Sequence, residues 1–305
     1  MKIIVTGGSG MVGRHLQEIM PHLIYLSSSD CDLTNAAETD SLFAREKPDA
    51  VIHLAAKVGG ILQNISHPAE FYDQNIKMNT HVVSSARNHG VTSFLAILST
   101  CMYPDVAESY PMTEEDIHKG PPARANFSYA YTKRCMAVQI EAYNQQCGLN
   151  YNYLIPCNLY GEYDNFEDAQ KSHFITALIK KIIDAERENK QEISLFGTGK
   201  PMRQFMHAGD LARVIKSVVD GDIRASFNVA PVGQNYSIDQ MARMSLGALG
   251  KEGWSIRYDA EKPDGQFRKD VDCSRMADCL GDFAFTPFED GVCKVYNKIK
   301  EKYGV

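Results

Sequence analysis

The chain has 305 residues, of which 44% are hydrophobic and 23% are charged, a composition that is typical of a soluble globular enzyme with one large or two modest domains. The formal net charge of −6 argues against nucleic acid or an anionic membrane as the main partner. Because no apolar run approaches the ~18 residues of a membrane span and a strand begins at Lys2, leaving no room for a signal peptide, we expect a cytoplasmic protein. The eight cysteines show no C-x-x-C pair, so we expect no metal site and no disulfide framework.

A glycine-rich turn follows the first predicted strand. The β-branched run 2–6 predicts that strand, and a helical pattern continues through 15–19. Between them Gly8, Gly10 and Gly13 match G-x-G-x-x-G, which allows a tight turn and close approach of a pyrophosphate to the amino terminus of a helix. The sequence therefore predicts a dinucleotide site at this turn.

The second predicted strand, 23–26, ends in three serines, 27–29, rather than in an acidic residue. An acid there would accept the ribose 2′-hydroxyl of NAD and repel a 2′-phosphate, whereas hydroxyls and backbone amides can receive that phosphate. We therefore predict NADP(H) as the cofactor, with Ser28 among the residues that bind it. The triplet contains no arginine, and Asp30 follows it at once.

Strands and helices alternate through the first half of the chain. Apolar runs predict buried strands at 49–56, 94–98 and 151–156, and helical spacing predicts a helix at 75–86. This alternation predicts an α/β fold with a doubly wound parallel sheet, a Rossmann domain.

The alternation weakens beyond about residue 165. An amphipathic helix is predicted from Phe174, with Ser172 as its N-cap. Segments near 197–203, 228–230 and 264–269 complete a second lobe. We predict an NADP-binding domain over residues 1–165, to which later segments can return, and a smaller α+β lobe over 166–305 that mainly binds substrate.

Tyr129 and Lys133 lie four residues apart in a helical pattern, which places both side chains on one helix face. An ammonium beside a phenol favours phenolate, so we expect a tyrosine pKa lowered towards working pH, which suits a proton donor at a carbonyl. Ser99 follows the run 94–98 and is expected at the carboxyl end of a strand, where α/β sheets bind ligands. Alone, a Tyr-x-x-x-Lys match is weak, since such a spacing is usually a solvated pair.

Together with the glycine-rich turn, these three residues resemble the extended short-chain dehydrogenase/reductase family. Over nearly the full chain, further stretches resemble the narrower family of GDP-L-fucose synthases, the GDP-4-keto-6-deoxymannose 3,5-epimerase/4-reductases. The matching stretches are Ala55-Ala56-Lys57-Val58-Gly59-Gly60, Ser99-Thr100-Cys101-Met102-Tyr103-Pro104, Asn158-Leu159-Tyr160-Gly161, Asp164-Asn165-Phe166, Ser172-His173, Gly197-Thr198-Gly199, Pro201-Met202-Arg203 and Pro263-Asp264-Gly265.

The resemblance implies a role for each matching residue. Its catalytic residues fall on Tyr129 as proton donor, on Lys133 and Ser99, and on Cys101 and His173 as the epimerisation pair. Its cofactor contacts fall on Gly7, Gly8, Ser9, Gly10, Met11, Val12, Gly13, Ser28, Ile97 to Ser99, Lys133, Pro156, Asn158, Leu159 and His173. Its substrate contacts fall on Lys181, Phe196, Arg203 and Asp264. The chain departs from the family where Lys181 and Phe196 replace an arginine and a tryptophan of some members, and where Glu162-Tyr163 replaces a Pro-His pair.

The resemblance implies a two-stage mechanism. The C4 ketone acidifies the C3 and C5 protons, Cys101 removes them, and His173 returns protons on the other side; NADPH then reduces C4.

An alternative is a C4-reductase with partial or no epimerase activity on a related GDP-4-keto-sugar, such as a 6-deoxyheptose. A 4,6-dehydratase would need acidic groups beside the tyrosine, and Ser99-Thr100-Cys101 offers none. A non-enzymatic NADP sensor would not need the catalytic residues.

The resemblance also implies a homodimer that pairs through helices 75–86 and 129–143.

Overall fold

The computed structural model describes residues 1–167 and 172–303. Within these ranges the strands, in chain order, are β1 (Ile3–Thr6), β2 (Ile24–Leu26), β3 (Ala50–His53), β4 (Ser93–Ile97), β5 (Asn152–Pro156), β6 (Asn158–Tyr160), β7 (Glu192–Phe196), β8 (Met202–Arg203), β9 (Phe205–His207), β10 (Phe227–Val229), β11 (Tyr236–Ser237) and β12 (Ser255–Asp259). The α-helices are α1 (Met11–Ile19), α2 (Ala36–Glu46), α3 (Ile61–Ser66), α4 (Pro68–Asn88), α5 (Phe127–Cys147), α6 (Phe174–Arg187), α7 (Ala208–Asp220), α8 (Ile238–Ala248), α9 (Ser274–Leu280) and α10 (Phe288–Tyr303).

Six strands form one parallel sheet in the order β10-β5-β4-β3-β1-β2. The central strands are apolar on both faces because helices cover both sides of the sheet, and β1 and β3 are buried at every residue. The chain moves outward from β1 to β2 and then returns past β1 to β3, which creates the switch point at which such sheets bind ligands. The prediction of a doubly wound α/β fold is confirmed.

A segment from the second half of the chain also belongs to the six-stranded sheet. Residues 227–229 form its sixth strand, β10, which pairs with β5, so the assignment of 228–230 to the second lobe was wrong. A strand of three residues has no periodicity of its own, and its place is decided by its burial against β5. The division of the chain near residue 165 stays a prediction, with β10 as a later segment that belongs to the first sheet.

The second lobe packs around α6, α8 and α10. Its buried residues include Ile179 and Ile183 of α6 and Val295 and Ile299 of α10. Strands β7 and β12 pair in parallel beside them, and β6 pairs in parallel with β9. These connections set the second lobe against the carboxyl ends of the sheet strands. No helix in the described ranges is long and apolar enough to cross a membrane.

Two predicted element ends differ from the structure. The predicted helix 75–86 is part of the longer α4, which begins at Pro68 because proline suits the first turn of a helix. Ser172 is not the N-cap of α6, since His173 occupies that position. The Ser172 hydroxyl donates instead to the Asn165 carbonyl, while an Asp164 carboxylate oxygen accepts the His173 N–H at 3.1 Å.

Candidate active site

A cleft of about 1030 Å³ lies between the carboxyl ends of the sheet strands and the second lobe. It is bordered by the turn after β1, by the residues that follow β4 and β5, and by α6. The predicted site residues that line it are Gly7, Ser9, Gly10, Met11, Val12, Gly13, Ser28, Ser99, Cys101, Tyr129, Lys133, Pro156, Asn158, Leu159, His173, Lys181, Phe196, Arg203 and Asp264. Residues from both halves of the chain therefore meet in one cleft, as a site for two ligands requires.

The glycine-rich turn has the geometry of a phosphate cradle. Gly7 has a φ of +73°, and a Cβ there would lie 2.7 Å from the Ala55 nitrogen. A Cβ on Gly13 would lie 2.4 Å from the Gly8 carbonyl oxygen, so α1 packs closely on the turn. Gly10 is the N-cap of α1, and no described side chain caps that helix terminus, which leaves its N–H groups available to an anion. The turn fits the pyrophosphate of a dinucleotide.

Gly8 is the one predicted site residue that does not line the cleft. A Cβ at this position would lie 2.7 Å from Cβ of Tyr25, and its N–H donates to the Leu26 carbonyl at 2.8 Å. The glycine therefore allows the turn to pack on β2. Its expected contact with the cofactor stays a prediction.

The serine triplet after β2 is ordered by Asp30. The Asp30 carboxylate accepts hydrogen bonds from the Ser27 N–H at 2.7 Å and from the Ser27 hydroxyl at 2.6 Å. These bonds lower the pKa of Asp30. The carboxylate is thus engaged by its own loop, while Ser28 lines the cleft.

Lys133 is held against the end of β4. Its ammonium donates to the Ile97 carbonyl at 2.8 Å and lies 5.7 Å from the centroid of the Tyr129 ring. Burial lowers the pKa of Lys133 to about 8.

The predicted lowering of the Tyr129 pKa was wrong in direction for this structure. Burial and the neighbouring Cys101 raise the pKa of Tyr129, and a hydrogen bond with Ser99 lowers it by less. The helical spacing predicted correctly that Lys133 lies beside Tyr129, but it gave no information on burial, which is the largest influence on the pKa of the phenol. Tyr129 is therefore a protonated phenol near neutral pH, which is the form that donates a proton.

Cys101 has a cationic neighbour that the sequence did not reveal. The Lys269 ammonium lies 3.5 Å from the Cys101 sulfur, and Lys269 is only 7% exposed. Burial raises the pKa of the Cys101 thiol, but the charge of Lys269, a hydrogen bond with Ser99 and the charge of Arg203 outweigh it and lower the pKa below its usual value. The arrangement favours a thiolate, the form that acts as a base.

His173 has the opposite electrostatic setting. Its Nδ1 lies 2.9 Å from an oxygen of Asp164, whose carboxylate is nearly buried. Burial lowers the pKa of His173, but the charge of Asp164 and its hydrogen bond raise it more, and the net shift is upward. The Asp164 contact orients the ring and leaves Nε2 as the nitrogen that can donate to a substrate.

The predicted substrate residues line the part of the cleft that is formed by the second lobe. Lys181 donates to the Ser194 carbonyl at 2.6 Å and lies 4.8 Å from the centroid of the Phe196 ring, which is 49% exposed. Arg203 donates to the Met202 carbonyl at 2.8 Å. Asp264 accepts from the Thr198 N–H at 2.6 Å and from its hydroxyl at 2.8 Å. An exposed aromatic face beside cations suits a nucleotide base and its phosphates.

Two residues of this site were missed as candidates. Asp164 was noted only as part of a motif, although an acid that contacts a predicted catalytic histidine is a known type of orienting group. Lys269 lies 168 residues from Cys101 in the chain, and no local pattern connects them. Only the fold brings the two together.

Comparisons with known proteins agree with this geometry. The model of the NAD dependent epimerase/dehydratase family matches residues 3–230. A GDP-L-fucose synthase of Dictyostelium discoideum is 36% identical over 95% of this chain and 92% of its own length, and a GDP-L-colitose synthase of Yersinia pseudotuberculosis is 34% identical over 91% of each chain. A crystal structure of a GDP-L-fucose synthetase from Naegleria fowleri bound to NADP has a TM-score of 0.87 at 30% identity and covers 99% of this chain and 93% of that one.

The chain belongs to the NAD dependent epimerase/dehydratase family, and within that class nearly its full length is similar to the GDP-L-fucose synthases. The resemblance inferred from the motifs is therefore confirmed. The comparisons also confirm the predicted enzyme class, an epimerase/reductase that depends on NADP(H).

Proposed function

We propose that the protein epimerises GDP-4-keto-6-deoxy-D-mannose at C3 and C5 and reduces the C4 ketone with NADPH to give GDP-L-fucose. The observation that carries this proposal is the placement in one cleft of three chemically distinct groups. These are a thiol held beside a lysine, a histidine held beside an aspartate, and a partly buried tyrosine with its serine and lysine.

Cys101 and His173 are assigned to epimerisation. The C4 ketone acidifies the adjacent C–H bonds, so the Cys101 thiolate can remove a proton and leave an enolate. The His173 imidazolium then returns a proton to the opposite face of the same carbon. Lys269 lowers the pKa of Cys101 and Asp164 raises that of His173, so each neighbour favours the state that the reaction requires, thiolate and imidazolium.

Tyr129 is assigned as the proton donor for reduction. Bound NADPH supplies the hydride for C4, and the glycine-rich turn, Ser28 and Lys133 are the residues that would hold it. Tyr129 donates its phenolic proton to the developing alkoxide, and Ser99 hydrogen-bonds the same oxygen. Lys133, anchored on the Ile97 carbonyl, holds its ammonium beside the Tyr129 ring and would bind the nicotinamide ribose.

Substrate binding is assigned to four residues of the second lobe. Arg203 and Lys181 carry positive charge into the cleft and suit the diphosphate of the GDP group. The exposed ring of Phe196 offers a face for the base. Asp264 holds the turn at Thr198 through two hydrogen bonds and completes this side of the cleft.

The test is an incubation of the purified protein with NADPH and GDP-4-keto-6-deoxy-D-mannose in deuterated water, with the product identified by NMR. We expect GDP-L-fucose with deuterium at C3 and C5. Cys101→Ser should incorporate little deuterium at either carbon yet still oxidise NADPH slowly, since a hydroxyl is scarcely ionised at working pH. Cys135→Ser, which changes an exposed cysteine, is the matched control and should behave as the native protein.

Other outcomes would change the assignment. Oxidation of NADPH with no deuterium at C3 or C5 would favour the alternative, a C4-reductase on a related GDP-4-keto-sugar, and would leave Cys101 and His173 without a catalytic role. Full incorporation by Cys101→Ser would exclude Cys101 as the base. His173→Gln should retain some exchange and yield little correctly epimerised sugar, because the first proton abstraction is spared.

We also propose that the protein is a cytoplasmic homodimer that pairs through α4 and α5. These two helices pack on each other, and they leave Tyr72, Tyr131 and Val138 exposed. Light scattering of the native protein should give twice the mass of the chain, and Val138→Glu should give one copy. A native mass of 34.0 kDa would refute the dimer. Cell fractionation tests the location.

A further inference from the structure

Three side chains with metal-ligating atoms converge behind α1, outside the set of residues assigned to catalysis. His15 lies on α1, Glu162 follows β6, and His207 ends β9. One donor atom from each lies within 4.8 Å of the others. Glu162 Oε2 is 2.8 Å from His207 Nε2 and 3.3 Å from His15 Nε2. Both histidines are buried, and the carboxylate is 19% exposed.

His15 is the member of this cluster that lacks a partner. Its Nε2 is buried and has no hydrogen bond among the described residues, and its Nδ1 is 3.5 Å from Glu18 Oε2. Buried ring nitrogens normally have partners. A Cβ on Gly161 would lie 3.1 Å from Nε2, so the glycine keeps the space beside this nitrogen open. The nitrogen points towards Glu162 without a well-formed hydrogen bond.

We propose that His15, Glu162 and His207 form a binding site for a zinc-type divalent cation. Two imidazoles and one carboxylate are a donor set that suits Zn²⁺, with a water molecule as the fourth ligand. Bonds of ~2.1 Å in a tetrahedral arrangement place donor atoms about 3.4 Å apart. The separation of 3.3 Å between His15 and Glu162 fits this value, and the separation of 2.8 Å between His207 and Glu162 must widen slightly.

When the cation binds, the hydrogen bond from His207 Nε2 to Glu162 is replaced by a coordinate bond from Nε2 to the ion. His207 Nδ1 accepts the Gly209 N–H at 3.2 Å, so Nε2 carries the ring proton and donates to Glu162. A cation at Nε2 takes the place of that proton, which moves to Nδ1 and ends the Gly209 hydrogen bond.

The position of the site suggests a structural cation. It would join the helix that follows the glycine-rich turn to the two strands that lead into the second lobe. The ion would therefore fix α1 against the β6 and β9 pair, and it has no part in the proton transfers proposed for the cleft.

The test uses Co²⁺ as a spectroscopic probe and Zn²⁺ as its competitor. The background is the full chain with Cys135→Ser and Cys147→Ser, which removes two exposed thiols that bind metals adventitiously. One equivalent of Co²⁺ should give the intense visible bands of a four-coordinate ion without a thiolate charge-transfer band, and Zn²⁺ should displace it. Zn²⁺ should also raise the Tm, because it binds the folded state.

Matched variants locate the site. His15→Gln and Glu162→Gln should each weaken Zn²⁺ binding by more than ~100-fold, since even loss of a group behind a ligand costs about 10- to 100-fold. Glu301→Gln, which changes an exposed carboxylate that pairs with Lys298 on α10, should bind as the background does. Circular dichroism checks that the variants fold, and if they do not, the Co²⁺ spectrum of the background chain decides.

Three results would overturn the proposal. These are failure of the background chain to bind one equivalent of Co²⁺, a thiolate band in the spectrum, or full affinity in both His15→Gln and Glu162→Gln. Any of them would leave the cluster as a carboxylate hydrogen-bonded by histidines. None of them bears on the proposed epimerase/reductase activity, which is measured separately by the NMR of the product.

Discussion

Replacing Lys269 by methionine removes the cation that contacts the Cys101 sulfur at 3.5 Å. Opposite unit charges about 4 Å apart attract by ~4 kcal/mol at an effective dielectric constant of ~20. The desolvation of both groups offsets part of this attraction, and Arg203 still lowers the Cys101 pKa in the variant. We expect a net loss of ~1.4 to ~2.7 kcal/mol in thiolate stabilisation, which is about 10- to 100-fold in the ratio of thiolate to thiol at a given pH.

The assay is the pH dependence of two rates, deuterium incorporation at C3 and C5 of the keto-sugar and alkylation of Cys101 followed by peptide mass mapping. Because Lys269 lowers the pKa of the thiol, its loss raises that pKa, and both profiles should move to higher pH. Lys269→Arg keeps a positive charge and should restore most of the native profile. Lys119→Met removes an exposed lysine that pairs with Asp116 and should change nothing.

The alkylation profile separates this prediction from the proposed reaction, because it needs no sugar. A profile that is unchanged in Lys269→Met would refute the electrostatic reasoning, even if turnover fell. A shifted alkylation profile with unchanged deuterium incorporation would instead show that Cys101 is ionised by Lys269 but is not the base.

Three further predictions follow from the same geometry. Tyr129→Phe should bind NADPH normally and lose ~10²–10⁴-fold in reduction, and near-native turnover would show that another group donates the proton. Asp164→Asn removes the charge that raises the pKa of His173, so the loss of epimerisation with rising pH should begin at lower pH than in the native protein. Arg203→Ala should raise the KM for the nucleotide sugar far more than that for NADPH, and the reverse would move Arg203 to the cofactor.

The parts of the fold that could be predicted from sequence are those with local periodicity. Apolar runs predicted β1, β3, β4 and β5, and the spacing of Gly10 and Gly13 predicted the turn before α1. The place of residues 227–229 could not be predicted in this way, because three residues carry no period and pair with β5 across more than 70 positions. Pairing between distant segments is decided by tertiary packing.

In the candidate site, the sequence predicted which side chains meet but did not predict their protonation. The four-residue spacing of Tyr129 and Lys133 predicted their shared helix face, yet the ammonium is directed to the Ile97 carbonyl and burial dominates the phenol. The motif that contains Cys101 predicted a thiol in the cleft and gave no sign of Lys269. Spacing predicts which side chains can meet, whereas their protonation depends on burial and on neighbours that are distant in the chain.

The opposite shifts of Cys101 and His173 explain how one cleft can serve two reactions. Lys269 lowers the pKa of the thiol and Asp164 raises that of the imidazole, so both shifts favour the charged forms, thiolate and imidazolium, and the two opposite charges stabilise each other. In the proposed epimerisation, each step moves one proton to sulfur and one from the ring, which leaves both groups neutral. The charged pair must form again before a second carbon reacts.

Tyr129 is protonated throughout because its pKa is raised, so its phenolic proton stays on the oxygen during epimerisation and is available for reduction. The two reactions therefore use separate protons, and replacing Cys101 should stop epimerisation and leave a slow reduction of the unepimerised ketone.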